Sequence, residues 1–244
     1  MTMPTLQYGT TTIEYFIYSH ERKDMKIAVD LVNGVIVYVP PSLEEEKIQG
    51  LIQQKAPWIL SKIKALGEVN EPATPKDFVS GEKIPYLGRN YKLKVYREAL
   101  DTVSFKFHQG KFLATVPRNW TQEQVQQTLE QTLIDWYKSH GFLKIKERVQ
   151  RYQKYLGVTP RSVSLRNQRK RWGTCTPEGN VYFNWRILLA PVRVIDYIIV
   201  HELAHLAVPE HNEKFWNLIR SVLPDYEGRK EWLRVHGIEL HCIG

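Results

Sequence analysis

Apolar residues come in short alternating runs through the first half of the chain and in longer, helix-spaced blocks through the second. Residues 26–29 and 35–39 are β-branched runs. Asn33-Gly34 between them predicts a hairpin, because both residues tolerate positive φ. Pro40-Pro41 stops the second run, and Ser42 followed by Glu44-Glu45-Glu46 predicts a helix start with a capping side chain and acids in its first turn. Ile48, Leu51, Ile52 and Ile59 give that helix one apolar stripe. The pattern then returns. Residues 103–107 and 112–116 flank the turn His108-Gln109-Gly110-Lys111, and Thr121 with Glu123-Gln124 opens a helix carrying Val125, Leu129, Leu133 and Trp136. An internal duplication of a strand–strand–helix unit and two generic hairpin–helix units both account for this. Residues 68–81 read as a linker, and short strands follow within 81–88 and 91–96.

The second half changes character. Residues 128–156 are helical in pattern and interrupted at Gly141; Gly157 ends the run and Pro160 prevents its resumption. Residues 162–166 and 180–187 predict two strands flanking a loop over 167–179. Pro191 stands where a helix tolerates a missing N–H, and residues 192–208 are apolar nearly all round, the mark of a buried helix. Residues 212–222 form an amphipathic helix with Phe215, Trp216 and Ile219 inward, and Asp225 reads as the cap of a last helix. The expected class is α+β: a strand/hairpin–helix region over 1–140, then a compact helical core with a small sheet over 141–244.

The buried helix carries His201-Glu202-Leu203-Ala204-His205. Four residues is one helical turn, so His201 and His205 share a face and can share an ion. Glu202 is rotated by about 100°, where it can reach a metal-bound water as general base without ligating the metal. Pro209 turns the chain, and His211 beyond it is the candidate third ligand. Three protein ligands leave a fourth position for water, as a catalytic zinc site needs. Burying His, Glu and His with no partner would cost several kcal/mol.

Composition adds limits. The chain has 244 residues, 43% hydrophobic and 25% charged, with formal net charge +8. That suits a folded chain with a basic surface, to which phosphates, nucleic acid or acidic peptides are attracted. Two cysteines make no disulfide scaffold, and the chain shows no apolar leader and no membrane-length run, so a cytoplasmic location is expected. The loop before Cys175 is dense in donors, and Arg169, Lys170, Arg171 and Trp172 are its candidate substrate-binding residues. Cys175 itself reads as a small buried residue. His20, His108, His140, His236 and His241 have no ligand spacing and read as surface residues.

Several segments together resemble one family. They are Arg171-Trp172-Gly173-Thr174-Cys175, Asn184-Trp185-Arg186, Ala190-Pro191, Val194-Ile195-Asp196-Tyr197, His201 to His205, His211, Phe215-Trp216 and Leu223-Pro224-Asp225-Tyr226. Val79-Ser80-Gly81-Glu82 and Tyr86-Leu87-Gly88 extend the likeness into the first half. The chain resembles the YgjP-like metal-dependent hydrolases, relatives of the SprT-like and Wss1-like zincins. The resemblance implies a small zincin core, one catalytic Zn2+ on His201, His205 and His211 (other divalent metals being compatible), and Glu202 as base. Thr174 replaces the family's Ser and keeps the hydroxyl, and Val208 stands where metzincins place Gly. The function it implies is a zinc metallopeptidase acting on peptide or protein. Two alternatives come with it: a nucleoside triphosphate (UTP) pyrophosphatase on the same site, with Arg169, Lys170 and Arg171 on the phosphates, and a DNA-associated SprT-like protease or scaffold, to which the charge of +8 is suited.

Overall fold

In the computed structural model, which describes residues 4–19, 23–67, 74–168 and 170–243, the β-branched runs pair as their alternation requires. Strands β1 (Thr5–Tyr8), β2 (Thr11–Ser19), β3 (Lys26–Asp30) and β4 (Gly34–Val39) form one sheet in the order β1-β2-β4-β3. β3 and β4 are the expected antiparallel hairpin, and β2 runs parallel to β4. The turn differs from the expectation. Asp30 pairs with Gly34, so Leu31, Val32 and Asn33 make a three-residue loop. Gly34 alone of the Asn33-Gly34 pair has positive φ, at 72°, the left-handed residue that closes such a loop. α1 (Glu45–Gly67) covers the sheet, and Ile48, Ile52, Ala56 and Ile59 meet Ile13, Tyr15, Val35 and Val37 in a cluster of their own. Leu51, expected on the stripe, is exposed, and Ala56 takes its place.

A second sheet repeats the arrangement. β5 (Lys83–Tyr86), β6 (Arg89–Glu98), β7 (Ser104–His108) and β8 (Lys111–Pro117) lie in the order β5-β6-β8-β7, with the same senses of pairing, and α2 (Gln122–Trp136) follows as α1 followed the first. Here the hairpin closes through two left-handed residues, Gln109 and Gly110, as a type I′ turn requires. Thr121 and Gln124 form a reciprocal capping box, and Val125, Leu129, Leu133 and Trp136 are buried. Residues 68–73 of the expected linker lie outside the described residues.

α2 passes through a π-helical turn, Tyr137–Gly141, into α3 (Phe142–Leu156), which ends at Gly157. β9 (Ser162–Arg166), β10 (Gly173–Cys175) and β11 (Asn180–Asn184) form the third sheet in the order β10-β11-β9, leaving β10 on an edge. The expected loop 167–179 therefore contains a strand. The strand expected over 180–187 stops at Asn184, whose side chain accepts from Arg186 N and caps the 3-10 turn Trp185–Leu189. Then come α4 (Val192–Ala204), α5 (Glu213–Val222) and α6 (Tyr226–His236). α4 stops at Ala204 rather than at 208, because the carbonyls of Leu203 and Ala204 are taken by tightened turns ahead of Pro209.

One apolar cluster runs through the second sheet, α2, α3, α4, α5 and the third sheet, drawing on residues both before and after 140. α3 and α4 are also joined by a buried polar lock. Asp196 Oδ1 accepts from Arg148 Nε at 2.6 Å, and Asp196 Oδ2 accepts from Tyr152 Oη at 2.9 Å. The class is mixed α+β, as the sequence predicts.

Candidate metal centre

From Val194 to Ala204 α4 is buried on every side, so the polar residues of that stretch must be answered from within the protein. His201 and Glu202 are wholly buried, and His205 caps the helix. The turn at Pro209 brings His211 back. Its ring lies 4.8 Å from that of His201 and 4.7 Å from that of His205. One ring nitrogen from each of the three histidines lies within 4.8 Å of the others, and among the described residues this is the group of metal-donor side chains that converges.

The hydrogen bonds decide how the rings are presented. His205 Nδ1 lies 3.0 Å from the Pro209 carbonyl. A carbonyl only accepts, so the proton sits on Nδ1 and Nε2 offers its lone pair inward. That Nε2 is buried and has no partner among the described residues, a state costing about 1–3 kcal/mol unless something binds there. Burial pushes the pKa of His205 down to about 3 and that of His201 well below the usual value, and lowers His211 as well. Neutral imidazole is the metal-binding form. The donor set fits a divalent ion.

Glu202 faces the same space. Burial raises its pKa well above the carboxylate range and the charge of Asp30 adds to this; the Asn33 amide, Arg171 and the backbone N–H of Cys175 oppose it. Gly173 lets the carboxylate come this close to β10: a Cβ there would lie 2.5 Å from Glu202 Oε1 and 2.6 Å from its Cγ. The Gly of the Arg-Trp-Gly-Thr-Cys segment thus has a steric reason.

Two site residues escaped the sequence analysis, and both belong to the β3–β4 turn. Asn33 Oδ1 lies 2.6 Å from His201 Nε2, while Asn33 Nδ2 donates to Glu202 Oε1 at 2.8 Å. Asp30 Oδ1 accepts from Val32 N and Asn33 N at 2.8 and 3.2 Å and lies 3.7 Å from His201 Nε2. Burial pushes Asp30 up, but His211, His201 and Lys230 outweigh it and hold the carboxyl well below its usual range. Asp30 and Asn33 are also favoured turn residues, which masks any second role in the sequence.

The basic loop divides. Arg171 is 3% exposed and its Nε and Nη2 have no partners among the described residues. It lines a cavity of about 340 Å³ between the first sheet and α6, with Ile13, Val35, Leu60 and Leu233. Lys170 is exposed and donates to the Thr12 carbonyl at 2.7 Å. Trp172 is buried with its ring 5.3 Å from that of His241. Arg169 and His20 lie outside the described residues. Cys175 is buried and stands outside the histidine group, and burial, with the Glu202 charge, keeps its thiol protonated. Asp225 takes the N-cap position of α6, but its carboxylate binds Arg229 instead of the helix backbone.

The YgjP-like, metallopeptidase domain family matches residues 23–236, a span that includes the β3–β4 hairpin, the second and third sheets and the three histidines. The chain belongs to the YgjP-like family. Membership makes it a metal-dependent hydrolase. Among solved structures, the metallopeptidase zymogen of Pyrococcus abyssi abylysin is similar at 22% identity and a TM-score of 0.33, over 36% of this chain and 88% of that one. No functionally curated protein matches the chain. Among the described residues of this YgjP-like chain, no helix is long and apolar enough to cross a membrane.

Proposed function

We propose that the chain is a zinc peptidase in which His201, His205 and His211 hold the ion and Glu202 is the general base. The observation that carries this reading is the convergence of three uncharged imidazole nitrogens, one of them buried and without a partner, beside a buried carboxylate. Zinc, when bound, polarises a substrate carbonyl and lowers the pKa of water towards about 7. The rest falls to the protein. Pro209 fixes the tautomer of His205. The pocket that raises the pKa of Glu202 makes it a stronger base, able to take a proton from water and return it to the leaving amine. The apolar surroundings exclude bulk water and strengthen each of these interactions.

Arg171 is the residue we assign to substrate. A buried guanidinium with two nitrogens, Nε and Nη2, unmet among the described residues, lining an apolar cavity, is suited to a carboxylate. It is equally suited to a phosphate, and this favours the nucleotide pyrophosphatase as second reading.

The test compares wild type with Glu202→Gln for metal content and for turnover on a peptide library and on nucleoside triphosphates. The expected result is one zinc per chain in both proteins, with peptide cleavage in the wild type falling at least ~100-fold in the variant. Release of phosphate or pyrophosphate with no peptide cleavage would replace the peptidase with the second reading. Loss of zinc from the variant would make Glu202 a ligand and not the base.

A further inference from the structure

The β3–β4 turn sits on the groups that the chemistry needs. The Asn33 carboxamide makes two contacts at once: its oxygen meets His201 Nε2 at 2.6 Å, and its N–H meets Glu202 Oε1 at 2.8 Å. The amide oxygen accepts, so in this closed arrangement His201 Nε2 carries the proton and Asn33 Oδ1 fills the space in front of the ligand nitrogen. A water held by an ion there would lie in that same space and turn an O–H to Glu202, as the Asn33 N–H does.

The backbone of the turn completes the likeness. The Val32 carbonyl accepts from Trp172 N at 2.7 Å and from Gly173 N at 3.4 Å, where the chain enters the edge strand β10. Free N–H groups on a sheet edge are the usual handle for an extended peptide. Val32 is wholly buried against the core. Asp30 holds the loop in shape through its bonds to Val32 N and Asn33 N. The hairpin is pinned from outside as well: Lys26 pairs with Glu210 at 3.1 Å, beside the chain that returns to His211.

We infer that the β3–β4 turn is an internal pseudo-substrate: Asn33 stands in the place of the attacking water, and the Val32 carbonyl in the place where a peptide substrate pairs with Trp172 and Gly173. The inference rests on the metal-centre reading above. It has two consequences. The closed form is latent, and turnover requires the hairpin to withdraw. The backbone N–H groups of Trp172 and Gly173 are then the subsite that takes a substrate carbonyl, next to the buried Arg171.

The experiment needs no known substrate. Wild type, Asn33→Ala and Asn33→Asp are loaded with Co2+ and titrated with acetohydroxamate, a chelator that requires both the ion and Glu202 to be reachable. Binding is followed by the visible spectrum of the cobalt. If the competent form is a tenth or less of the population, removing the latch tightens binding by at least about 10-fold. Asn33→Ala is expected to show that gain and a changed cobalt spectrum before any chelator is added. Asn33→Asp keeps an oxygen donor in place and is expected to bind hydroxamate no more tightly than wild type. Asn33→Ser, too short to span both partners, replaces the alanine variant if circular dichroism shows that protein unfolded. Equal hydroxamate affinity in wild type and the alanine or serine variant, with cobalt bound to both, would overturn the pseudo-substrate and leave the metal centre standing. Failure of every protein to take up cobalt would remove both.

Discussion

At residue 173 an added methyl group would lie 2.5 Å from Glu202 Oε1, with a second clash at Cγ. The carboxylate has little freedom to yield, since Glu202 is wholly buried in the last turn of α4. Gly173→Ala is therefore expected to swing Glu202 away from the histidines while leaving the ligands alone. Turnover should fall by about 100-fold, and overpacking should cost about 1–3 kcal/mol. Metal content by mass spectrometry should stay at the wild-type level. A variant of normal activity would show that Glu202 is not held where its role demands. The same scale explains why the candidate ligands stand out in the sequence and their neighbours do not. His201, Glu202 and His205 lie within one helical turn, so spacing alone describes their geometry. Asn33 reaches them from 168 residues away, and sequence spacing carries no trace of such a contact.

The elements show the same division. Local rules found the helix start at Thr121, the stop at Gly157 and the hairpin partners of β7 and β8, because each is settled by neighbours in the chain. They misjudged the β3–β4 turn and the loop around β10, where tertiary partners decide. Asn33 is drawn into the site instead of taking a left-handed turn position, and Gly173–Cys175 becomes a strand by pairing with β11. The contact between α3 and α4 belongs to this second kind. Asp196 sits among apolar residues of α4 and is answered by Arg148 and Tyr152 of α3. Asp196→Ala leaves a largely buried guanidinium without its partner, and roughly 3 kcal/mol of stability should be lost in urea unfolding. A loss under about 0.5 kcal/mol would mean that Arg148 finds other solvation.

For the whole molecule, the centre ties the two halves of the chain together. The first sheet supplies Asn33 and Asp30, and α4 with the following turn supplies the three histidines. An ion that binds this assembly and not the unfolded chain stabilises it by about 4 kcal/mol when its free concentration is a thousand times its Kd. Chelation should lower Tm by roughly 10 °C for a chain of this length, and added zinc should restore it. A chelator-insensitive Tm, with the ion confirmed as removed, would separate the ion from the fold. The joining of distant segments also has a consequence in time. A ribosome delivers the hairpin bearing Asn33 long before it delivers His201, Glu202 and His211. The first sheet has its own apolar cluster with α1, so the turn can be in shape while the rest of the chain is still being made. Each newly made molecule would then build its hydrolytic centre around the turn that covers it, with no interval in which a competent site is open to the other nascent chains nearby.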